Sequence, residues 1–159
     1  MSFMPFVTCL ADVRLGVYTD AAWANRSDHS SQGGYLIFAI DEDGIVNGNT
    51  KPLVVLDWAS RKLKRVRRSS LSAEAQAACV AVDALEWAKV FIALILQPDK
   101  KADDESLCRV LGQSPVVTDA KARYDASRSE SAGLGLTEKR TAIELKILSE
   151  RMEVLSARG

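Results

Sequence analysis

Histidine occurs once in the 159 residues and cysteine three times. A single histidine excludes His-based metal clusters. Cys9, Cys79 and Cys108 are scattered, odd in number and without CxxC spacing, which argues against a disulfide framework or a zinc site. Long hydrophobic runs are missing too. The longest apolar stretches, such as residues 90–96 (VFIALIL), are far too short to span a bilayer. The N-terminus, MSFMPFVTCLAD, has no basic region ahead of its apolar run, so no signal peptide is expected. Net charge is also absent, with 21 bases against 21 acids, and says nothing about partners. These absences leave a non-secreted intracellular chain, cytoplasmic or nuclear, or a piece of a larger polypeptide.

What is present points to a folded unit. Hydrophobic residues make up 47% of the chain, ordinary for a protein that buries a core and well above a disordered composition. The length suits one domain, read as residues 13–159 after an N-terminal extension of residues 1–12. The charges are unevenly placed. Residues 61–68 (RKLKRVRR) hold six of the 21 bases and no acid, so the remainder carries 15 bases against 21 acids. A basic stripe on an otherwise acidic chain is a candidate polyanion contact.

Residues 13–24 (VRLGVYTDAAWA) read as a strand that runs into Asp20 and then a polar turn, NRSDHSSQ. Residues 33–41 (GGYLIFAID) are rich in β-branched and aromatic types and read as a second strand. The turn dipeptides Asp43-Gly44 and Asn47-Gly48 send residues 53–59 (LVVLDWA) back antiparallel as a third. The period then changes. From Leu71 the apolar positions Leu71, Ala75, Ala78, Val82, Leu85, Ile92 and Ile95 recur at helical spacing, with Ser69, Ser70 and Ser72 as N-cap oxygens and Pro98 as the stop. Residues 98–114 read as a polar connector. PVVTD (115–119) has the shape of a buried strand tipped by an acid, and a short helix at 120–128 and a loop at 127–136 are expected after it. A last helix, 137–155, places Leu145, Leu148, Met152 and Leu155 on one face. The order β-β-β-α-β-α-α predicts an α/β fold: an antiparallel three-strand meander plus a parallel strand in one mixed sheet, with flanking helices.

Three acids fall at the ends of these elements: Asp20 ending the first strand, Glu74 in the expected first turn of the long helix, and Asp119 ending the fourth strand. Each follows residues expected to be buried, namely Val17 and Tyr18, Leu71, and Val116 and Val117. A lone acid at a strand end is usually just solvated. Three can converge at one sheet edge, and converging carboxylates repel unless a cation neutralises them. All-oxygen ligands favour Mg²⁺ or Mn²⁺ over zinc, and a pair of such ions about 4 Å apart is a known clamp for phosphodiester hydrolysis.

At these residues a family resemblance emerges. VYTDAAWANRSDHSSQGGYLIF (17–38) resembles the start of the ribonuclease H domain of copia-type retrotransposon polyproteins. DWASRKLKRVRRSSLSAEAQA (57–77) is similar to that family's next block, VVTDAKA (116–122) to its third, and TEKRTAIELKILSERM (137–152) to its following helix. The blocks run in the family's order and cover about residues 13–155. The resemblance implies the ribonuclease H-like fold and an endonuclease that hydrolyses the RNA strand of RNA/DNA hybrids with two Mg²⁺ ions, Mn²⁺ substituting. Asp20, Glu74 and Asp119 match its first three metal-binding acids. A reverse transcriptase domain upstream in the same polyprotein is the implied partner. The family's fourth acid follows a fifth strand that this sequence does not reach before Gly159, so the resemblance implies a C-terminally truncated domain. Glu144 does not match that position, and Ala120 stands where the family often has Asn.

The remaining features carry two readings each. Arg61, Lys62, Lys64, Arg65, Arg67 and Arg68, with Ser70 at the helix start, could grip hybrid phosphates; the plainer reading is a solvated loop or a localisation patch, and capping for the serines. His29 could shuttle protons, but it lies in a turn where the family has no such residue. Trp23, Trp58 and Trp87 could stack on bases, with core packing the better expectation, and Cys79 reads as a small core residue. The functional expectation is therefore a retrotransposon-derived ribonuclease H-like domain. The alternative is an inactive remnant that at most binds nucleic acid through residues 61–68. An unrelated α/β domain with exposed acids is the generic third.

Overall fold

A computed structural model describes residues 12–24, 27–63, 69–102, 106–107, 111–119 and 139–156. Among the described residues, four strands and three helices follow in the order β1 (Val13–Ala22), β2 (Gln32–Asp41), α1 (Glu42–Val46), β3 (Leu53–Lys62), α2 (Ser70–Leu96), β4 (Val116–Val117) and α3 (Lys139–Ser156). They form an α/β structure with one open mixed sheet, ordered β3-β2-β1-β4. β2 pairs antiparallel with β1 and β3, and β4 lies parallel to β1. The expected meander, crossover helix and parallel fourth strand are all present. The expected helix at 120–128 and loop at 127–136 lie outside the described residues.

Alternation along β1 determines what each face does. Val13, Leu15, Val17 and Thr19 are buried, and the first three pack with Ile37 and Ala39 of β2 against Ala78, Ala81, Val82 and Leu85 of α2. Burying these side chains is the main favourable term, roughly 1.5–3 kcal/mol for each large aliphatic. α2 runs 27 residues. Alanine is the strongest helix former, and Ala73, Ala75, Ala77, Ala78 and Ala81 are all buried along α2. Such small side chains let a helix lie close to the sheet. Ser69 is the N-cap, its hydroxyl accepting from the Ser72 amide at 3.2 Å. α3 packs on α2 through Leu145, Leu148 and Leu155, with Met152 half-buried, as the spacing predicts.

Several expectations are corrected. β3 extends to Lys62, so Arg61 and Lys62 are strand residues rather than loop residues. A short helix, α1, fills the β2–β3 turn, capped by the Asp41 side chain accepting from the Asp43 amide at 2.9 Å. The polar connector is not wholly solvated, because Leu107 and Leu111 are buried. Buried Lys89 of α2 donates to the Gly112 carbonyl at 2.9 Å and ties that connector down. All three tryptophans are exposed, Trp58 at 69% and Trp87 at 74%, instead of packing in the core. Ile95 is exposed as well, since it lies on the outer side of α2.

Tyr18 and Val117 are also exposed, against expectation. The physical reason is the sheet's second face. Tyr18 pairs with Leu36 and with Val117, and Leu36 pairs with Trp58, so these four form one apolar row across the sheet on the side away from α2. Among the described residues no helix covers that row. The expected burial of strand positions assumed two covered faces.

Candidate active site

β1 and β4 share two register pairs, Val17 with Val116 and Tyr18 with Val117. A bond from the Val17 amide to the Pro115 carbonyl, 3.0 Å, continues the ladder toward its start. The paired residues end at Tyr18 and Val117; Asp20 and Asp119 each lie two residues beyond that last pair, Asp20 still within β1 and Asp119 past the end of β4. Asp20 does not end its strand as expected, because β1 keeps pairing with β2 as far as Ala22; both acids are nonetheless exposed near the carboxyl ends of these neighbouring parallel strands. Crevices beyond the carboxyl ends of parallel strands are where open α/β sheets bind ligands.

The third acid comes from α2. Gly33 pairs with Ala21, the residue after Asp20, and a Cβ on Gly33 would lie 3.0 Å from the Ala77 Cβ. The start of α2 thus lies over this end of the sheet, with Glu74 one turn before Ala77. Glu74 is half-buried, and one of its carboxylate oxygens is closed off from water. It is the fifth helical residue rather than part of the first turn, and the helix dipole, which favours a carboxylate within the first turn, has faded there. Thr19, between Tyr18 and Asp20, is fully buried, and its hydroxyl has no hydrogen-bond partner among the described residues.

The topology brings the three acids to one end of the sheet without closing them into a cluster. Among the described residues, no three His, Cys, Asp or Glu side chains are grouped to hold a metal ion. Their chemistry nevertheless suits a hard divalent cation: all the donors are carboxylate oxygens, and two of the three groups are open to solvent.

Of the basic stretch, residues 64–68 lie outside the described residues. Arg61 is exposed on β3. Lys62 is already engaged: its ammonium lies 2.5 Å from Asp28 in the β1–β2 turn. That contact, with two bonds from Ser30, holds the Asp28 carboxyl well below the usual carboxylate range. Ser70 is exposed at the first helical position, while capping falls to Ser69. His29 is exposed with a φ of 55°, a turn geometry. Cys79 is half-buried, and its thiol donates to the Glu144 carbonyl of α3 at 3.6 Å. Cys9 and Cys108 lie outside the described residues.

Sequence reasoning did not find the Tyr35–Asp57 pair. The Tyr35 hydroxyl donates to Asp57 Oδ2 at 3.0 Å between β2 and β3. Burial first, and then this bond and the Asp57 charge, push the phenol's pKa up. The signal was a cross-strand register that only the Leu56 irregularity fixes. Among the described residues no helix is long and apolar enough to cross a membrane. The chain matches no protein-family model, no curated protein and no solved structure.

Proposed function

We propose that this chain is a ribonuclease H-like domain of the copia-type retrotransposon kind, and that the carboxylate end of its sheet is an active site for hydrolysing the RNA strand of RNA/DNA hybrids. The observation that carries the reading is the parallel β1–β4 register, Val17 with Val116 and Tyr18 with Val117, with Asp20 and Asp119 each two residues beyond the last pair, at the end of the sheet where α2 starts. The strand order β3-β2-β1-β4, with a crossover helix between β3 and β4, supports the fold assignment.

Asp20, Glu74 and Asp119 would hold Mg²⁺, or Mn²⁺ in its place. When bound, a pair of such ions supplies an activated water and stabilisation of the departing 3′ oxygen. The chain's own residues set the rest. Asp20 and Asp119 present their carboxylates at an open strand end, where a duplex can approach. Glu74 is anchored through α2, whose inner face is fixed on the sheet. Arg61 and the basic residues after it, Lys64, Arg65, Arg67 and Arg68, neutralise backbone phosphates and position the hybrid without reading its sequence. An upstream reverse transcriptase domain would supply the hybrid.

The second reading is a binding remnant without turnover, which at most holds nucleic acid through residues 61–68. The deciding experiment is cleavage of a labelled RNA/DNA hybrid by the purified chain in Mg²⁺ and in Mn²⁺, with Asp20→Asn prepared identically. Cleavage that disappears in the variant supports the enzyme. No cleavage by a chain that melts cooperatively supports the remnant.

A further inference from the structure

Among the described residues β3 is one edge of the sheet, and its accessibility differs from that of every other strand. Nine of its ten residues are exposed, on both faces, including Leu53, Val54, Val55, Leu56 and Trp58. An exposed apolar edge presents unpaired backbone groups and is a template for another strand. Folded proteins commonly guard such an edge with bulges and charged residues. Here the irregularity opposite Ile37 and Phe38 falls at Leu56, which leaves residues 57–62 as an uninterrupted segment. The charge best placed to guard that segment, Lys62, is drawn back to Asp28 of its own chain at 2.5 Å.

The charges left on the segment are Asp57 and Arg61. They point to the same face, since Asp57 pairs with Ile37 and Arg61 with Gly33 on the α2 side of the sheet. They also lie two residues on either side of Ala59. In an antiparallel pairing of this segment with itself about Ala59, Asp57 stands opposite Arg61 of the second copy, and Arg61 opposite Asp57. Two opposite-charge pairs form at once, and no like charges meet. Trp58 then sits opposite Ser60, diagonal to the second Trp58 and within aromatic reach across antiparallel strands.

We propose that β3 pairs edge to edge with β3 of a second copy of this chain, antiparallel about a two-fold axis at Ala59, joining two four-stranded sheets into one. An isologous contact of this kind closes on itself and does not propagate into fibres. The inference does not rest on the proposed nuclease activity.

Sedimentation of the full chain across micromolar to submillimolar concentrations should show a reversible monomer–dimer equilibrium. Arg61→Asp places like charges opposite each other twice and should weaken dimerisation about tenfold or more. Asp57→Arg combined with Arg61→Asp restores both pairs and should return the dimer, whereas the effect of Arg61 on hybrid binding would not return. Ala59→Cys should form a disulfide-linked dimer faster than Ser60→Cys, because only residue 59 faces itself. Cooperative melting of each variant establishes that it is folded. A chain that stays monomeric overturns the proposal. So does a dimer indifferent to Arg61→Asp, or one in which Ala59→Cys gains nothing over Ser60→Cys; either would move the contact elsewhere, for instance to the exposed Trp87, Phe91 and Ile95 of α2.

Discussion

Gly33 of β2 and Ala77 of α2 meet so closely that a methyl group on the glycine would lie 3.0 Å from the alanine's own. The same Cβ would lie 2.7 Å from Leu63 Cδ2, but the end of a leucine side chain can swing aside. Ala77 is fixed to the helix backbone and cannot. Gly33→Ala should therefore cost about 1–3 kcal/mol by overpacking, and Gly33→Val more. Chemical denaturation measures the loss. If it stays within experimental scatter of wild type, α2 is not seated on β2 as described.

The acid constellation predicts a response to cations. Mg²⁺ or Mn²⁺ should raise the melting temperature in a concentration-dependent way, as any ligand specific to the folded state does. Asp119→Asn should remove most of that shift, since it takes away one of only two solvent-open carboxylates at the strand ends. An unchanged shift in the variant would dissolve the assignment of Asp20, Glu74 and Asp119 to one site.

Residues 61–68 predict a salt dependence. Neutralising Arg65, Arg67 and Arg68 together should weaken hybrid binding. It should also flatten the slope of log affinity against log salt, by about 0.9 for every phosphate of a B-form duplex that is no longer neutralised. Filter binding or fluorescence anisotropy over a salt series gives both quantities. Equal slopes before and after would make the run a solvated surface.

Tyr35 predicts an alkaline transition. Burial and the bond to Asp57 favour its neutral phenol in the folded state. Its contribution to stability is present below the unfolded tyrosine value of about 10 and is lost as pH rises through the raised folded value. Subtracting the alkaline absorbance titration of Tyr35→Phe from that of wild type isolates this group. Asp57→Asn should bring its midpoint only part of the way down, because burial, the larger cause, remains. A midpoint at the ordinary value in wild type would remove the pair.

The sequence made the strand and helix order readable because two periods alternate cleanly: Val13, Leu15 and Val17 at period two, then Ala78, Val82 and Leu85 at helical spacing. It singled out three acids as element ends, yet Asp20 lies two residues inside β1, Glu74 is the fifth residue of α2 and Asp119 follows β4 by two, because pairing and helix starts are set by backbone partners that the composition does not show. What it could not reveal is how many faces each element buries. Trp58, Val117 and Tyr18 have the composition of core residues, and only the absence of a layer over one side of the sheet, among the described residues, leaves them in solvent. The basic run illustrates a second limit. Arg61 and Lys62 read as loop residues by charge, yet strand pairing with Gly33 and Gln32 overrides that composition.

The two-residue attachment of β4 has a consequence for the order in which the chain assembles. β1, β2, β3 and α2 contact near neighbours in sequence and can form early, whereas β4 must find β1 across most of the chain, a closure that is entropically costly and late. Asp119 would then be the last of the three acids to arrive and the first to leave. A partly open form lacking only that strip would keep its meander and long helix while having no complete site. Amide exchange can reveal it: the Val17 amide, bonded to Pro115, should exchange well before the β1–β2 ladder does. Equal protection would mean that all four strands open together, so that loss of the site and loss of the fold are a single event.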